Sequence, residues 1–292
     1  MDNISIIEVF ISGRRIGRMA LTPEGMCGFE YDADWIQTGF SISPFYLPLK
    51  SGLIMAKRDP FGGNFGVFDD SLPDGWGNLL LDRYLQERGI DPYKLNILER
   101  LSLIGSTGRG ALEYYPDKSV VTDAEYLNFD SLAKEVAKIL ESKESKGSVD
   151  LLYKYGGSSG GARPKIFTKV DGREWLVKFK ATNDPVDVGE IEYNYSLLAR
   201  DCGIRMAETR LFDNRYFGVE RFDRAPQGKI HTVSAAGLLH ANYRIPSLDY
   251  SILLKLTLNL TKDMEQVAEM FRLMVFNVLI SNRDDHAKNL SF

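Results

Sequence analysis

Asp284, His286, Lys288 and Asn289 fall within the run Ile280-Ser-Asn-Arg-Asp-Asp-His-Ala-Lys-Asn-Leu-Ser-Phe292, directly after one of the most apolar helical stretches of the chain. In phosphoryl transfer an aspartate accepts the proton of the attacking hydroxyl, and an asparagine about five residues later holds a magnesium ion. Asp284 and Asn289 stand at that interval. Lys288 could neutralise a transferring phosphate, and His286 could orient Asp284 or bond a backbone carbonyl. Two other readings compete. The segment could be a polar loop that ends an apolar helix, or Asp284, Asp285 and His286 could hold a metal. The metal ranks lower, because adjacent residues rarely face one ion together.

The other parts that such chemistry needs occur upstream. Gly156, Gly157, Gly160 and Gly161 surround Ser158 and Ser159, and glycines let backbone N–H groups come close to a phosphate. The spacing is neither a Walker A sequence nor G-x-G-x-x-G, so a plain flexible loop stays open, although its place before a hairpin favours the phosphate reading. In Trp175-Leu-Val-Lys-Phe-Lys180 the strand period puts Lys178 and Lys180 on one face. Leu176-Val-Lys178 fits the lysine-bearing strand of kinases better, so Lys178 is chosen over Lys180, with a solvated strand face as the alternative. Its acidic partner on the next helix would be Glu190 or Glu192, unless both merely solvate that helix. Glu220-Arg-Phe-Asp-Arg224 ends a β-rich run where backbone could meet an adenine edge, and an ordinary charged strand exit fits equally well. Glycine loop, strand, lysine strand, helix with glutamate, strands and apolar helices ending in a polar loop form the order of parts in a protein kinase.

The elements that must position these residues are readable in outline. Ile6 to Leu21 is two β-rich runs around Ser12-Gly13, and Lys165–Val170 with Glu174–Lys180 is a hairpin joined by Asp171-Gly172. Helices are expected from Gly75 to Gly89, around Leu95 to Leu103, from Asp130 to Glu144, and from about Val188 to Cys202. Short strands are expected around Thr209 to Phe212 and Tyr216 to Phe222. Asp263 with Gln266 resembles a capping box that opens a helix over Val267 to Ile280, and Ser142 to Ser148 reads as a solvated linker.

Bulk properties narrow the function classes. The 292 residues carry 36 basic and 40 acidic side chains, a net charge of -4 that argues against nucleic acid as the main partner. Two cysteines, Cys27 and Cys202, are too few for a disulfide framework and suit a reducing cytoplasm. The amino terminus lacks the basic start and long apolar core of a signal peptide, and no apolar run reaches the roughly 20 residues needed to span a bilayer. A cytoplasmic, non-membrane protein is expected.

With these residues assembled, the sequence resembles the HipA family of bacterial serine/threonine kinases, the toxins of toxin–antitoxin pairs. Phe68-Asp-Asp-Ser-Leu-Pro-Asp-Gly-Trp-Gly77 and Ile104-Gly-Ser-Thr-Gly-Arg-Gly-Ala-Leu-Glu-Tyr-Tyr-Pro116 are similar to stretches of the family's amino-terminal domain. The family's Ser-x-x-Gly-x-x-x-Lys loop falls on Ser158 to Lys165, its strand lysine on Lys178, and its Asn-Glu helix pair on Ile191-Glu192, which favours Glu192. Glu-Arg-Phe-Asp-Arg recurs at Glu220 to Arg224, and Asp-x-His-x-Lys-Asn at Asp284 to Asn289.

The resemblance implies an α+β, kinase-like two-lobed fold with an extra amino-terminal α/β subdomain: residues 1–116, then an ATP-binding lobe over 117–225, then a helical lobe starting at 226–292. It implies ATP and Mg2+, with Ser158, Gly160, Gly161, Lys165, Lys178, Glu192, Glu220 and Phe222 at the nucleotide, Asn289 on the metal, and Asp284, His286 and Lys288 as catalytic residues. It implies a protein substrate, in family terms often a translation component such as an aminoacyl-tRNA synthetase. A HipB-like helix-turn-helix antitoxin would be the partner, through which alone DNA is contacted. Ser158 matches a serine whose phosphorylation ejects the loop and silences the enzyme, as a doubly negative group opposing ATP's phosphates should. Family members carry a second metal-binding aspartate about twenty residues past the catalytic loop. A carboxyl-terminally truncated chain with an incomplete helical lobe is therefore expected, with an apolar helix surface suited to self-association. A non-catalytic interaction module that binds an antitoxin or partner chain is the alternative.

Overall fold

A computed structural model of the chain describes residues 4–120, 128–141, 147–245 and 248–292; most of the expected linker and the end of the helix before it lie outside them. The amino-terminal sheet contains β1 (Ile6–Ile11), β2 (Arg14–Leu21), β3 (Cys27–Tyr31), β4 (Ile54–Met55) and β5 (Leu112–Tyr115), in the order β4-β3-β2-β1-β5. The turn between β1 and β2 uses Ser12 and Gly13, both with positive φ, as a tight hairpin twist requires. Helices α1 (Ala33–Thr38), α2 (Gly66–Asp69), α3 (Gly75–Gln86) and α4 (Ile97–Ile104) accompany this sheet. Asn96 and Glu99 form a reciprocal capping box at the start of α4. The strands β3 and β4 and helix α1 fall in a Gly/Pro-rich stretch where no element was expected.

Two helices, α5 (Phe129–Leu140) and α6 (Ser148–Gly156), lead to the second sheet. It consists of β6 (Lys165–Val170), β7 (Arg173–Lys178), β8 (Thr209–Phe212) and β9 (Tyr216–Glu220), in the order β6-β7-β9-β8. Asp171 and Gly172 make the turn of the expected hairpin, each with positive φ. Helix α7 (Val188–Asp201) crosses β8 and β9 closely: a Cβ on Gly189 would collide with the Arg215 carbonyl, so only glycine permits the approach that lowers this helix onto the sheet. A short hairpin of β10 (Arg224–Ala225) and β11 (Gly228–Lys229) follows, and then α8 (Ala235–Leu239), α9 (Tyr250–Thr261) and α10 (Met264–Leu279).

Two hydrophobic cores hold these parts together, and each draws on residues from both halves of the chain. One combines the amino-terminal sheet with Val233, Leu253, Leu256, Ala287 and Leu290. The other combines Trp76, Leu80, Leu81 and Leu85 of α3 with Phe129, Leu152, Ile166 and Val177. Those α3 residues recur at helical spacing on one face, and burying each such side chain stabilises by roughly 1.5–3 kcal/mol. Helix α10 behaves otherwise. Asp263 caps it by accepting the Glu265 N–H, yet only Phe276 and Asn277 are buried, and Phe271, Val278 and Leu279 are exposed, the last by 78%. Among the described residues no helix is long and apolar enough to cross a membrane.

Candidate active site

Lys178 ends β7, and its Nζ meets Glu192 Oε2 of α7 at 2.6 Å. Val177 and Phe179 are buried on the opposite face, so strand alternation alone turns Lys178 toward the open side. Glu192 also accepts from Arg163 Nη1 at 3.2 Å, and Arg163 reaches Asp184 at 3.1 Å, which ties the glycine loop to α7. Glu190 takes no part in these bonds.

The glycine loop follows α6. Ser159 is fully buried, its Oγ donating to the Gly156 carbonyl at 2.6 Å, and Lys165 Nζ donates to the Gly160 carbonyl at 2.5 Å. The segment before α3 grips this loop from the other side. Trp76 N–H donates to the Gly161 carbonyl at 3.0 Å, and its indole N–H to the Lys165 carbonyl at 3.1 Å. A Cβ on Gly77 would collide with the Ser159 carbonyl, so glycine is required for the two segments to touch. Asp74 sits at the N-cap of α3 but does not cap it. Its carboxylate accepts the Gly161 N–H instead and pairs with Lys288 Nζ at 2.9 Å.

Lys288 is only 6% exposed and also lies over the Tyr243 ring at 4.8 Å. Burial favours the protonated form of Asp74, but Lys288 and the Gly161 N–H outweigh it and hold the carboxyl below its ordinary range. Burial, and next to it Lys178, pull the Lys165 ammonium down to about 8. Burial pushes Asp69, at the end of α2, up to about 6.

The carboxyl-terminal loop is folded on itself. Asn282 Oδ1 accepts the Asp284 N–H at 3.0 Å, and Asn289 Nδ2 donates to the Asp284 carbonyl at 2.5 Å. The Asp284 carboxylate is left 84% exposed in the cleft. His286 Nδ1 accepts the Lys288 N–H at 3.2 Å, while its Nε2 stands 3.5 Å from Asp284 Oδ1, too long for a firm hydrogen bond. Asp285 turns away and accepts from Tyr250 OH at 2.9 Å, which takes it out of any trio with Asp284 and His286. Among the described residues no acid, histidine or cysteine cluster could by itself hold a metal.

A cleft of about 830 Å3 brings together Gly160, Gly161, Lys165, Lys178, Asp284, His286, Lys288 and Asn289, eight of the residues singled out from sequence. A neighbouring cavity of about 460 Å3 holds Glu220 and Phe222 and shares Arg109, Leu176, Lys288 and Asn289 with the first. Two of the singled-out residues line neither. Glu192 lies behind Lys178, bordering a smaller hollow of about 290 Å3, and Ser158 Oγ points away to donate to the Thr107 carbonyl at 3.0 Å.

The Glu220–Arg224 motif does more than exit a strand. Asp223 is buried and accepts from Arg221 and Arg224 at 2.8 and 2.9 Å and from the Gly110 N–H at 2.8 Å. Arg224 Nη2 donates to the Gly108 carbonyl at 2.9 Å. The motif therefore rivets the loop before β5 to the second sheet, and Phe222, 62% exposed, is left at the mouth of the smaller cavity. Asp74 and Arg109 were not foreseen as site residues. Both belong to stretches conspicuous in the sequence, Phe68 to Gly77 and Ile104 to Pro116, but nothing local in either tells that it reaches into a cleft so far along the chain.

Residues 7–115 match the HipA N-terminal domain and residues 157–292 the HipA-like C-terminal domain. The chain belongs to the HipA family. Among curated proteins it is 23% identical to "Putative kinase Y4dM" of Sinorhizobium fredii, an alignment that covers 100% of this chain and 73% of that protein. Among solved structures it is similar, with a TM-score of 0.66 and 20% identity, to a chain of the Shewanella oneidensis MR-1 toxin–antitoxin complex of HipA, HipB and operator DNA. That likeness covers 98% of this chain and 72% of the other. The mixed α/β architecture is accordingly a HipA fold.

Proposed function

We propose that this HipA-family chain is a serine/threonine protein kinase that transfers the γ-phosphate of ATP to a protein. The observation that carries the reading is the single cleft in which the glycine loop, Lys165 and Lys178 face Asp284 and Asn289. Phosphoryl transfer asks mainly for positioning and charge stabilisation, and each group has such a task. Lys178, steadied by Glu192, offers its ammonium to the nucleotide's phosphates, and Gly160, Gly161 and Lys165 surround them from the other side. Phe222 and the backbone of Glu220 border the neighbouring cavity, which suits an apolar base. Asp284, exposed and held by Asn282 and Asn289 through its backbone, accepts the proton of the attacking hydroxyl. Lys288 and His286 stand beside it: Lys288 keeps positive charge near the transferring group, and His286 fixes the loop by accepting the Lys288 N–H.

Magnesium fits this donor set in part. The Nδ2 of Asn289 is spent on Asp284, which leaves its amide oxygen for an ion, and Mg2+ typically takes one or two protein oxygens with the rest from phosphates and water. When bound with the nucleotide, the ion supplies neutralisation of charge on the phosphates.

The fold divides, in this proposal, into an amino-terminal subdomain over 1–116, a nucleotide lobe over 117–225 and a helical lobe from 226, with the cleft where all three meet. The solved neighbour is a complex with HipB and operator DNA, and a HipB-like antitoxin through which DNA is contacted is the partner we propose, with a translation component as protein substrate and the cytoplasm as setting. Ser158 is the proposed regulatory phosphosite. Its hydroxyl donates to the Thr107 carbonyl, and a phosphate, which only accepts, would lose that bond and repel the carbonyl, driving the loop outward. Incubation with radiolabelled ATP and magnesium, followed by electrophoresis with and without candidate protein substrates, tests the reading. Label that depends on the intact Asp284 is expected, and no label on any protein would refute it.

A further inference from the structure

Most cations of the main cleft already have an acid: Lys178 pairs with Glu192, Lys288 with Asp74, and Arg163 with Asp184 and Glu192. Arg109 differs. It comes from the amino-terminal subdomain, on the loop that Arg221 and Arg224 rivet to the second sheet through Gly108 and Gly110. Its Nη2 donates to the Asp70 carbonyl at 3.2 Å, and among the described residues no carboxylate pairs with it and no other hydrogen bond engages its guanidinium. The guanidinium lies against the glycine loop: a Cβ built on Gly160 would stand 3.3 Å from its Cζ and 3.4 and 3.5 Å from its two terminal nitrogens. Arg109 also borders both the main cleft and the smaller cavity, at their junction. Lys165, which like Arg244 at the cleft's edge has no carboxylate paired with it among the described residues, holds the Gly160 carbonyl from its own side of that loop.

We propose that Arg109 is a nucleotide-phosphate-binding arginine, supplied in cis by the amino-terminal subdomain and acting with Lys165 on either side of Gly160. Resting as it does on the nucleotide reading of the cleft, this gives the amino-terminal subdomain a chemical share in the site. A guanidinium presents a planar fork of donors matched to two phosphate oxygens, and an arginine near the transferring phosphate stabilises charge that spreads over those oxygens. The field of Arg109 is one of the influences that lower the Lys165 ammonium, after burial and Lys178, so a phosphate between them would relieve an existing repulsion. The position is also anchored for the task. The Asp70 carbonyl and the buried Asp223 cluster fix the loop on both flanks of Arg109, which lowers the entropy lost when an anion is gripped.

Calorimetric titration of the whole chain with ATP–magnesium and with adenosine, for the wild type, Arg109→Met and Arg109→Lys, tests this. Arg109→Met is expected to weaken ATP about 10- to 100-fold, the worth of a charged hydrogen bond or two, and to leave adenosine unchanged. Arg109→Lys should retain part of the ATP affinity, and it carries the comparison if the Met variant does not fold. Unchanged ATP affinity in Arg109→Met, or equal weakening of ATP and adenosine, would overturn the proposal, the second outcome marking a purely structural arginine. A wild type that binds neither ligand would instead sink the nucleotide reading itself, a failure visible before any variant is compared.

Discussion

Lys178 and Glu192 meet at 2.6 Å because two independent periodicities converge: strand alternation turns Lys178 away from buried Val177 and Phe179, and the helix of Glu192 is drawn down over Gly189. Removing either partner should act on nucleotide handling before it acts on folding, since both side chains are partly exposed. Lys178→Met is expected to lower kcat/KM for ATP by about 100-fold, as the loss of one preorganised charge typically does, and Glu192→Gln by less. Steady-state phosphorylation assays at varied ATP check this, and equal rates for Lys178→Met and wild type would exclude the assignment. The helix itself left Glu190 and Glu192 open, with the family resemblance favouring Glu192, but Lys178 and the Asp284–Asn289 interval were legible in sequence because their chemistry is local, a lysine in a β-rich run and a loop of fixed spacing. Asp74 and Arg109 were not. They come to the cleft from the amino-terminal subdomain through long-range contacts, and a carboxylate that takes Gly161 and Lys288 instead of capping its own helix leaves no local pattern.

At the scale of elements, the glycine loop owes its shape to what surrounds it. Helix α6 ends into it, β6 leaves from it, and the segment opening α3 packs on it through Trp76 and Gly77. The two hairpins and helices α3, α4, α5, α7 and α10 were readable from turn chemistry and periodicity, whereas the short α1, α2 and α8 were not. Helices α6 and α9 went unassigned, the first hidden between a charged linker and the glycines, and strands β3 and β4 lay in a Gly/Pro-rich stretch whose pairing is decided by the neighbouring β2. Helix α10 was expected to present an apolar surface, and Phe271, Val278 and Leu279 are exposed on it. The Glu220–Arg224 motif is the joint between sheets. Asp223 holds two arginines and a backbone N–H there while almost wholly buried, so Asp223→Ala leaves buried Arg221 with only the longer 3.7 Å contact to Glu174 to balance its charge. A loss of about 3–5 kcal/mol in unfolding free energy is expected from chemical denaturation, the scale seen when a buried ion pair is broken. A change below about 0.5 kcal/mol, ordinary for a surface substitution, would show that the joint is not cohesive.

Across the whole molecule, the amino-terminal half is sewn to the carboxyl-terminal helices. His240 ends α8 with positive φ, stacks on Tyr46 at 3.6 Å and accepts the Gly66 N–H at 3.2 Å. Burial, helped by the charge of Lys57, pulls its pKa from the ordinary 6.5 down to about 4. The folded state therefore keeps His240 neutral where the unfolded chain would protonate it, so its contribution is full above about pH 6.5 and is lost as pH falls toward about 4. Asp69, raised to about 6, works the other way, since its burial penalty is relieved once it is protonated. His240→Asn, which tolerates the same backbone conformation, should melt at a temperature that declines less between pH 7 and pH 4.5 than the wild type's. Parallel profiles would remove His240 as a source of acid sensitivity.

In the proposed function the cleft transfers phosphate with Asp284 as the base. Its most direct test is the rate of label transfer from radiolabelled ATP to protein by wild type and Asp284→Asn, with ATP–magnesium binding measured alongside. Transfer by the wild type, a fall of about 100- to 10,000-fold in the variant, and little change in binding are expected, as for removal of a general base. Equal transfer by both proteins, or ATP binding without any transfer by the wild type, would contradict it.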